Sequence, residues 1–175
     1  MLVSADGQTV AARGTDGRLS IQRRGGDPFT TRQWLAADAD ARLPTDPALA
    51  EGFRCDESGC IARLADGKLV ARVLTADALA EDCERASVVV TARDAPPRCA
   101  ALVIDRNVSR ARGAIALTRA GDGWEIAVAR PSGQDRPWAR AMPSPTDVTL
   151  TSPAARPAPR DATPRMEDLE VGDTQ

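Results

Sequence analysis

At 175 residues with 42% hydrophobic content, the chain is long enough to bury a core, but aromatic residues make up only 3% of it, so that core must consist of Val, Leu, Ile and Ala. The formal net charge of −2 excludes a global attraction to nucleic acid or acidic lipid. Lys68 is the only lysine among 23 basic residues, a bias typical of a GC-rich genome rather than of phosphate binding. No apolar run approaches the roughly 20 residues that span a bilayer, and the first residues do not form a signal peptide. Composition by itself therefore predicts a cytoplasmic protein.

The first 24 residues predict a β-meander. Three short segments, at 2–3, 9–11 and 19–21, have the composition of strands. Asp6-Gly7 and Asp16-Gly17 separate them, and these dipeptides are typical of tight type I′ hairpin turns. We therefore expect three short antiparallel strands at the start of the chain.

A short helix is predicted after the meander, over about 28–37. Asp27 is placed to cap it, and a proline follows in its first turn. The next segment contains three aspartates, Asp38, Asp40 and Asp46. Carboxylates can bind a divalent metal ion, but no glycine-centred loop or bidentate glutamate accompanies these three. We therefore predict a solvated linker here.

The centre of the chain alternates between strand and helix patterns. Two strands joined by a turn at Asp66-Gly67 come first, and a helix over 76–86 follows, with Thr75 as its N-cap. The apolar residues at helical spacing are Ala76, Leu79, Ala80, Cys83 and Ala86. Two continuous apolar runs, at 88–92 and 101–104, suit strands that are covered on both faces.

The last third of the chain begins with a predicted basic loop over 106–113. A hairpin of residues 114–118 and 124–129 follows it. Prolines then recur while large apolar residues become scarce, so 143–175 is predicted to be a disordered tail.

These patterns together indicate one globular domain over 1–142. Its predicted class is α/β, of the α+β type, with a mixed, β-rich sheet and about two helices. The meander of 1–24 opens the domain, and 53–130 forms its α/β core. The pattern leaves open whether the meander joins the same sheet as the central strands.

The four cysteines form two local pairs, Cys55 with Cys60 and Cys83 with Cys99. Their spacing, with no histidine in the chain, argues against structural zinc, and no C-x-x-C motif is present for dithiol redox chemistry. Three disulfide pairings are open, of which the neighbouring one is the simplest, and four reduced cysteines are the alternative. We favour disulfides. They imply an oxidising compartment, the periplasm, which conflicts with the missing export signal.

Three runs and the tail carry a family resemblance: CDESGCIARLADGKLVA, ALAEDCERASVVVTARDAPPRCAALVIDR, GAIALTRAGDGWEIAVARPSGQDRPW and ATPRMEDLEVGD. They are similar to the C-terminal soluble region of ComEC-family competence proteins of alphaproteobacteria. The most specific pieces are the two cysteine-bearing blocks and DRPW at 135–138. ComEC-type proteins are inner-membrane channels that pass one strand of incoming DNA into the cell.

The resemblance implies a location, a fold and a partner for the chain. In this family the C-terminal region is related to the metallo-β-lactamase fold and lies outside the cytoplasm. The resemblance therefore implies a reduced metallo-β-lactamase-like domain at the periplasmic face of the inner membrane, with a membrane-embedded channel portion as its partner. A position after membrane helices would also reconcile disulfides with the absence of a signal peptide.

The residues that catalysis needs in that fold are missing here. A metallo-β-lactamase-like hydrolase presents an H-x-H-x-D-H segment, and ComEC relatives often carry HHGS after the strand equivalent to 88–90, where this chain reads TARDAP. With no histidine it lacks the usual zinc ligands and also the base of a serine or cysteine nucleophile. We therefore predict no catalytic residue, no metal ion and no cofactor, and a non-catalytic domain that acts in DNA internalisation.

Single-stranded DNA is the predicted ligand, and no small-molecule substrate is indicated. The candidate contacts are Arg106, Arg110, Arg112 and Arg119. An ordinary solvated loop is the competing interpretation of these arginines. A second hypothesis is a metal-dependent nuclease remnant that uses only carboxylates, from Asp77, Asp94 and Asp105. A third is a truncated product with no independent role.

Overall fold

The computed structural model describes residues 1–25 and 28–133. This part of the chain contains ten strands and three helices. The strands are β1 (Leu2–Val3), β2 (Thr9–Arg13), β3 (Leu19–Arg23), β4 (Phe53–Cys55), β5 (Gly59–Arg63), β6 (Leu69–Val73), β7 (Val88–Thr91), β8 (Leu102–Ile104), β9 (Ile115–Ala120) and β10 (Gly123–Val128). The helices are α1 (Phe29–Ala37), α2 (Ala76–Arg85) and α3 (Arg106–Arg112), and a 3₁₀ turn spans Pro47–Ala50.

The strands form two five-stranded sheets. Sheet A has the order β10-β9-β1-β2-β3 and is antiparallel throughout. Sheet B has the order β4-β5-β6-β7-β8, and its pairings β6–β7 and β7–β8 are parallel. Helix α2 makes the crossover between β6 and β7 that a parallel pair requires. The meander therefore joins the C-terminal hairpin in one sheet, and the central strands form the other.

The two sheets pack face to face over the main hydrophobic core. Sheet A contributes Val10 and Leu117, and sheet B contributes Val88, Val90 and Ile104, all at most 2% exposed. Burying one such side chain contributes roughly 1.5–3 kcal/mol. This core is what holds the two sheets together.

Helices cover the outer face of each sheet. Leu35 of α1 packs with Ile21 on sheet A, and Leu79 and Cys83 of α2 pack on sheet B. The layers therefore follow the order α1, sheet A, sheet B, α2. Strand β7 lies in the middle of sheet B and is buried at all four residues, which confirms the prediction of a strand covered on both faces.

The α+β class and most predicted elements are confirmed. The meander, the two central hairpin strands, α1, α2, β7, β8 and the final hairpin all lie where the sequence indicates them. Within the predicted apolar stripe of α2, Leu79, Cys83 and Ala86 are buried, whereas Ala76 and Ala80 are exposed. Thr75 occupies the N-cap position of α2 without a side-chain hydrogen bond to the helix.

The prediction of a loop over 106–113 is wrong, because α3 occupies it. Asp105 is the N-cap, and its Oδ1 accepts a hydrogen bond of 2.8 Å from the backbone N–H of Val108. Val108 is buried in the inter-sheet core, and Gly113 ends the helix with a φ of 70°. Helix α3 is short and rich in arginine, and Val108 is its one buried apolar residue. One such residue gives no helical apolar pattern from which the helix could be predicted.

The type I′ assignment of the Asp-Gly turns is also wrong. That turn needs a positive φ at both central residues, and here only the glycines have one, 67° at Gly7 and 73° at Gly17. Asp6 and Asp16 instead accept hydrogen bonds of 2.9 and 3.1 Å through Oδ1 from the backbone N–H two residues later. These side-chain bonds favour a wider turn.

The prediction of Asp27 as the N-cap of α1 is wrong, because Pro28, which is predicted in the first turn, occupies the N-cap position. Two other predictions, the DRPW motif at 135–138 and the tail at 143–175, fall outside the described residues.

Candidate functional site

Two disulfides fasten sheet B and the loop beyond it. Cys55 and Cys60 lie directly opposite each other on β4 and β5 and are bonded. Cys83 of α2 is bonded to Cys99, which lies in the loop between β7 and β8. The structure therefore contains the neighbouring pairing, and none of the four thiols is free.

The polar residues between Cys55 and Cys60 form hydrogen bonds with one another within the turn. Asp56 Oδ1 accepts hydrogen bonds from Ser58 N at 2.8 Å, Gly59 N at 2.9 Å and Ser58 Oγ at 2.6 Å. These bonds, that of the Ser58 hydroxyl first, lower the pKa of Asp56. The carboxylate is thus held ionised by its own turn.

The four arginines predicted to contact DNA do not form one cluster. Arg119 lies near the end of β9 that is farther from α3, with its Nε 3.0 Å from Asp66 Oδ2 and its guanidinium carbon 4.8 Å from the centre of the Trp124 ring. Arg106 Nη2 lies 2.6 Å from Asp94 Oδ2. Because a carboxylate faces each of these two guanidinium groups, they add little net charge to a DNA-binding surface.

The other two predicted arginines meet a third one that sequence reasoning missed. Arg110 and Arg112 lie in the last turn of α3. Arg130 follows β10; its backbone N–H donates to Arg112 O at 2.9 Å, and its Nη1 donates to Arg110 O at 3.0 Å. Arg112 Nη1 also donates to Ser132 Oγ. We call Arg110, Arg112 and Arg130 the α3 basic end.

The α3 basic end combines positive charge with helix-terminal carbonyl groups. Cations are favoured beside the C-terminal carbonyls of a helix, which explains why the arginines gather here. Within the described part of the chain, Arg110 and Arg130 form no ion pair with a carboxylate. The hairpin pairs Val128 with Ile115, and this register is the signal that brings Arg130 back to α3.

Two of the three carboxylates proposed for a nuclease have structural partners. Asp105 caps α3, and Asp94 accepts hydrogen bonds from Arg106 at 2.6 Å and from Asn107 at 3.0 Å. Asp77 lies in the first turn of α2. No three His, Cys, Asp or Glu side chains of the described residues come close enough together to hold a metal ion.

The linker aspartates also form structural contacts. Asp38 pairs with Arg13 of β2, and Asp46 caps the 3₁₀ turn, which occupies part of the predicted linker. Arg42 Nε donates to both carboxylate oxygens of Asp40, at 3.0 and 2.9 Å, and these hydrogen bonds lower the pKa of Asp40 from 3.8 to about 2. A depressed carboxylate pKa stabilises the fold above the ordinary value of 3.8, and that contribution is lost as the pH falls towards 2.

A buried arginine, Arg72, forms hydrogen bonds that link the two sheets near the turn between β1 and β2. Arg72 of β6 is 4% exposed, and its guanidinium donates to Gln22 Oε1 at 2.7 Å and to Gln8 Oε1 at 3.3 Å. Burial, followed by the charge of Arg24, lowers the pKa of Arg72. Both acceptors are neutral amides, Gln22 in β3 and Gln8 in the turn before β2, so this contact fixes sheet B relative to sheet A.

No protein-family model matches the chain, and no curated protein or solved structure matches it significantly. The similarity to ComEC-family proteins therefore stays a prediction from sequence. Among the residues that the structure describes, none of the helices is long and apolar enough to cross a bilayer.

Proposed function

We propose that the chain is a non-catalytic domain of a DNA-uptake channel of the ComEC type. In this proposal it contacts single-stranded DNA at the periplasmic face of the inner membrane, next to the membrane-embedded portion of the channel. The observation that carries the proposal is the α3 basic end, where Arg110 and Arg130, from two adjacent segments, form no ion pair with a carboxylate among the described residues.

The α3 basic end suits a phosphate backbone rather than a specific sequence. Arginine guanidinium groups pair with phosphate oxygens through two parallel hydrogen bonds. Two such contacts, from Arg110 and Arg130, would give a single-stranded ligand a salt dependence of about −1.4 in log K against log salt concentration. Binding of this size is weak and accessory, as expected of a domain that guides a strand without cleaving it.

The disulfides support the proposed location. Cys83–Cys99 ties α2 to the loop after β7, and Cys55–Cys60 closes the β4–β5 turn. Disulfides persist in the periplasm and are reduced in the cytoplasm of most bacteria. A domain held by two of them suits the side of the membrane from which DNA enters.

Neutralising two arginines of the α3 basic end should weaken DNA binding. For the double variant Arg110→Gln, Arg130→Gln, we expect at least a tenfold loss of affinity for an oligothymidylate at low salt, because two charge-assisted contacts are removed. The slope of log K against log salt should fall in magnitude by about 1.4. Fluorescence anisotropy of a labelled oligonucleotide measures both quantities.

The matched control is Arg85→Gln, which removes one positive charge at an exposed pair with Glu81 on α2. Its affinity should stay within about twofold of the unmodified chain. The proposal fails if the double variant and the control bind alike, or if binding does not respond to salt. Degradation of the oligonucleotide on addition of Mg²⁺, abolished by Asp94→Ala, would instead favour the nuclease hypothesis.

A further inference from the structure

A cleft lined by arginines lies between the two sheets at the end opposite to Arg72. Its volume is about 540 Å³, within the range of small-molecule sites. The β2–β3 turn of sheet A forms one side, and β4, β5 and the first residue of β6 in sheet B form the other. Small residues leave the space open, among them Ala12, Gly52 and Ala62.

One part of the cleft lining depends on the close approach of Gly52 to Ser20. A Cβ at Gly52 would lie 2.1 Å from Ser20 Oγ and 2.6 Å from Ser20 Cβ, so only glycine lets the segment after the 3₁₀ turn lie against β3. Both residues line the cleft. Glycine at position 52 therefore allows this part of the lining to pack against the Ser20 side chain.

Four arginines line this one space, and they come from four separate segments. The residues are Arg18, Arg42, Arg54 and Arg63. Arg42 is held in place by Asp40 and by the carbonyl oxygen of Leu19, and Arg63 Nη1 donates to Gly67 O at 2.7 Å. Two of the four positions are thus fixed by contacts that do not need a ligand.

The charge of the other lining residues leaves the cleft positive. Its two carboxylates, Asp16 and Glu51, form no ion pair with any arginine among the described residues. Arg18 and Arg54 make no side-chain hydrogen bond or ion pair in that part of the chain. Among the lining residues, four arginines stand against these two carboxylates, and Asp40, which pairs with Arg42, also interacts electrostatically with Arg18.

We propose that this cleft binds a phosphate group, with Arg18, Arg54 and Arg63 as the contacts. Several guanidinium groups around one space match an anion with three or four oxygens better than a carboxylate with two. The same chemistry is offered by a free phosphate compound and by the backbone of a nucleic acid. The site does not depend on the α3 basic end, which lies on another part of the fold.

The test uses the full chain and two probes, inorganic pyrophosphate and an oligothymidylate. The variant is Arg18→Gln with Arg54→Gln, chosen because neither side chain holds another part of the fold in place. We expect saturable shifts of the amide resonances of the cleft and at least a tenfold weaker affinity in the double variant. Arg98→Gln is the control, since Arg98 is exposed in the loop between β7 and β8 and does not line the cleft.

The two probes distinguish the source of the phosphate. If pyrophosphate binds and the double variant loses it, the ligand is a free phosphate compound. If only the oligothymidylate shows the loss, the cleft holds a nucleic-acid backbone. The proposal is overturned if neither probe shifts the cleft resonances, or if the double variant binds both probes as the Arg98→Gln control does. Pyrophosphate binding is measured separately from oligothymidylate binding. A result for the cleft therefore does not depend on whether DNA binds at the α3 basic end.

Discussion

Replacing Cys83 and Cys99 together by alanine should lower the free energy of unfolding by about 3 kcal/mol. The bond closes a loop with a sequence separation of 16, and removing it restores that conformational freedom to the unfolded chain. Alanine is the appropriate substitute because Cys83 is 2% exposed, and a buried serine hydroxyl would add its own desolvation cost. Guanidinium unfolding without reductant measures the effect.

The second disulfide provides the internal comparison. Cys55 and Cys60 are separated by only five positions, so the paired alanine variant should lose roughly 2 kcal/mol. The order of the two losses is the sharper part of the prediction. An oxidised chain that is no more stable than the chain in excess dithiothreitol would contradict a stabilising function for both bonds.

Leu102→Ala should cost about 2–5 kcal/mol, a large share of the stability of a single domain. Leu102 is 1% exposed and belongs to the core between the sheets, where the surrounding strands cannot collapse to fill the cavity. The same unfolding experiment measures this loss.

Its neighbour Val103 is the matched control. Val103 is only partly buried, and alternation along a strand points it to the opposite face of sheet B. Val103→Ala should therefore cost clearly less than Leu102→Ala. Equal losses would mean that the inter-sheet core is not where β8 contributes most of its stability.

Local patterns account for the elements that could be predicted. The strand of Val88–Thr91 is readable because four consecutive apolar or β-branched residues suit a doubly covered position. The hairpins are readable because glycine at Gly7 and Gly17 allows the positive φ of a turn. The helix over 106–112 could not be predicted, because a helical pattern needs several apolar residues at regular spacing. The run after the cap Asp105 has only one deeply buried apolar residue, Val108.

Long-range pairings account for what could not be predicted. Leu2 pairs with both Ala11 and Ala116, so the N-terminal meander and the final hairpin share a sheet, and no local pattern encodes the second of these contacts. The same pairing separates Arg119 from α3 and brings Arg130 towards it. The predicted arginine cluster therefore contained two of the three residues that gather at the α3 basic end.

The arginine-lined cleft depends even more on tertiary structure. Arg18 lies in the β2–β3 turn of sheet A and Arg54 in β4 of sheet B, and neither stands out in a sequence whose basic residues are almost all arginine. Only the packing of the sheets, with Gly52 against Ser20, brings them to one space. From composition alone, the arginines are predicted to reflect a GC-rich genome. The fold shows which of the described arginines pair with a carboxylate and which do not.

The most direct test of the proposed function is to sequence the transcript upstream of the codon for Met1. The account predicts that the same reading frame continues upstream into several apolar segments of about 20 residues each, long enough to cross a bilayer. That result would attach this domain to a membrane channel, as the ComEC proposal requires. An in-frame stop codon followed by a ribosome-binding site would contradict it, because the domain would then be made without a channel.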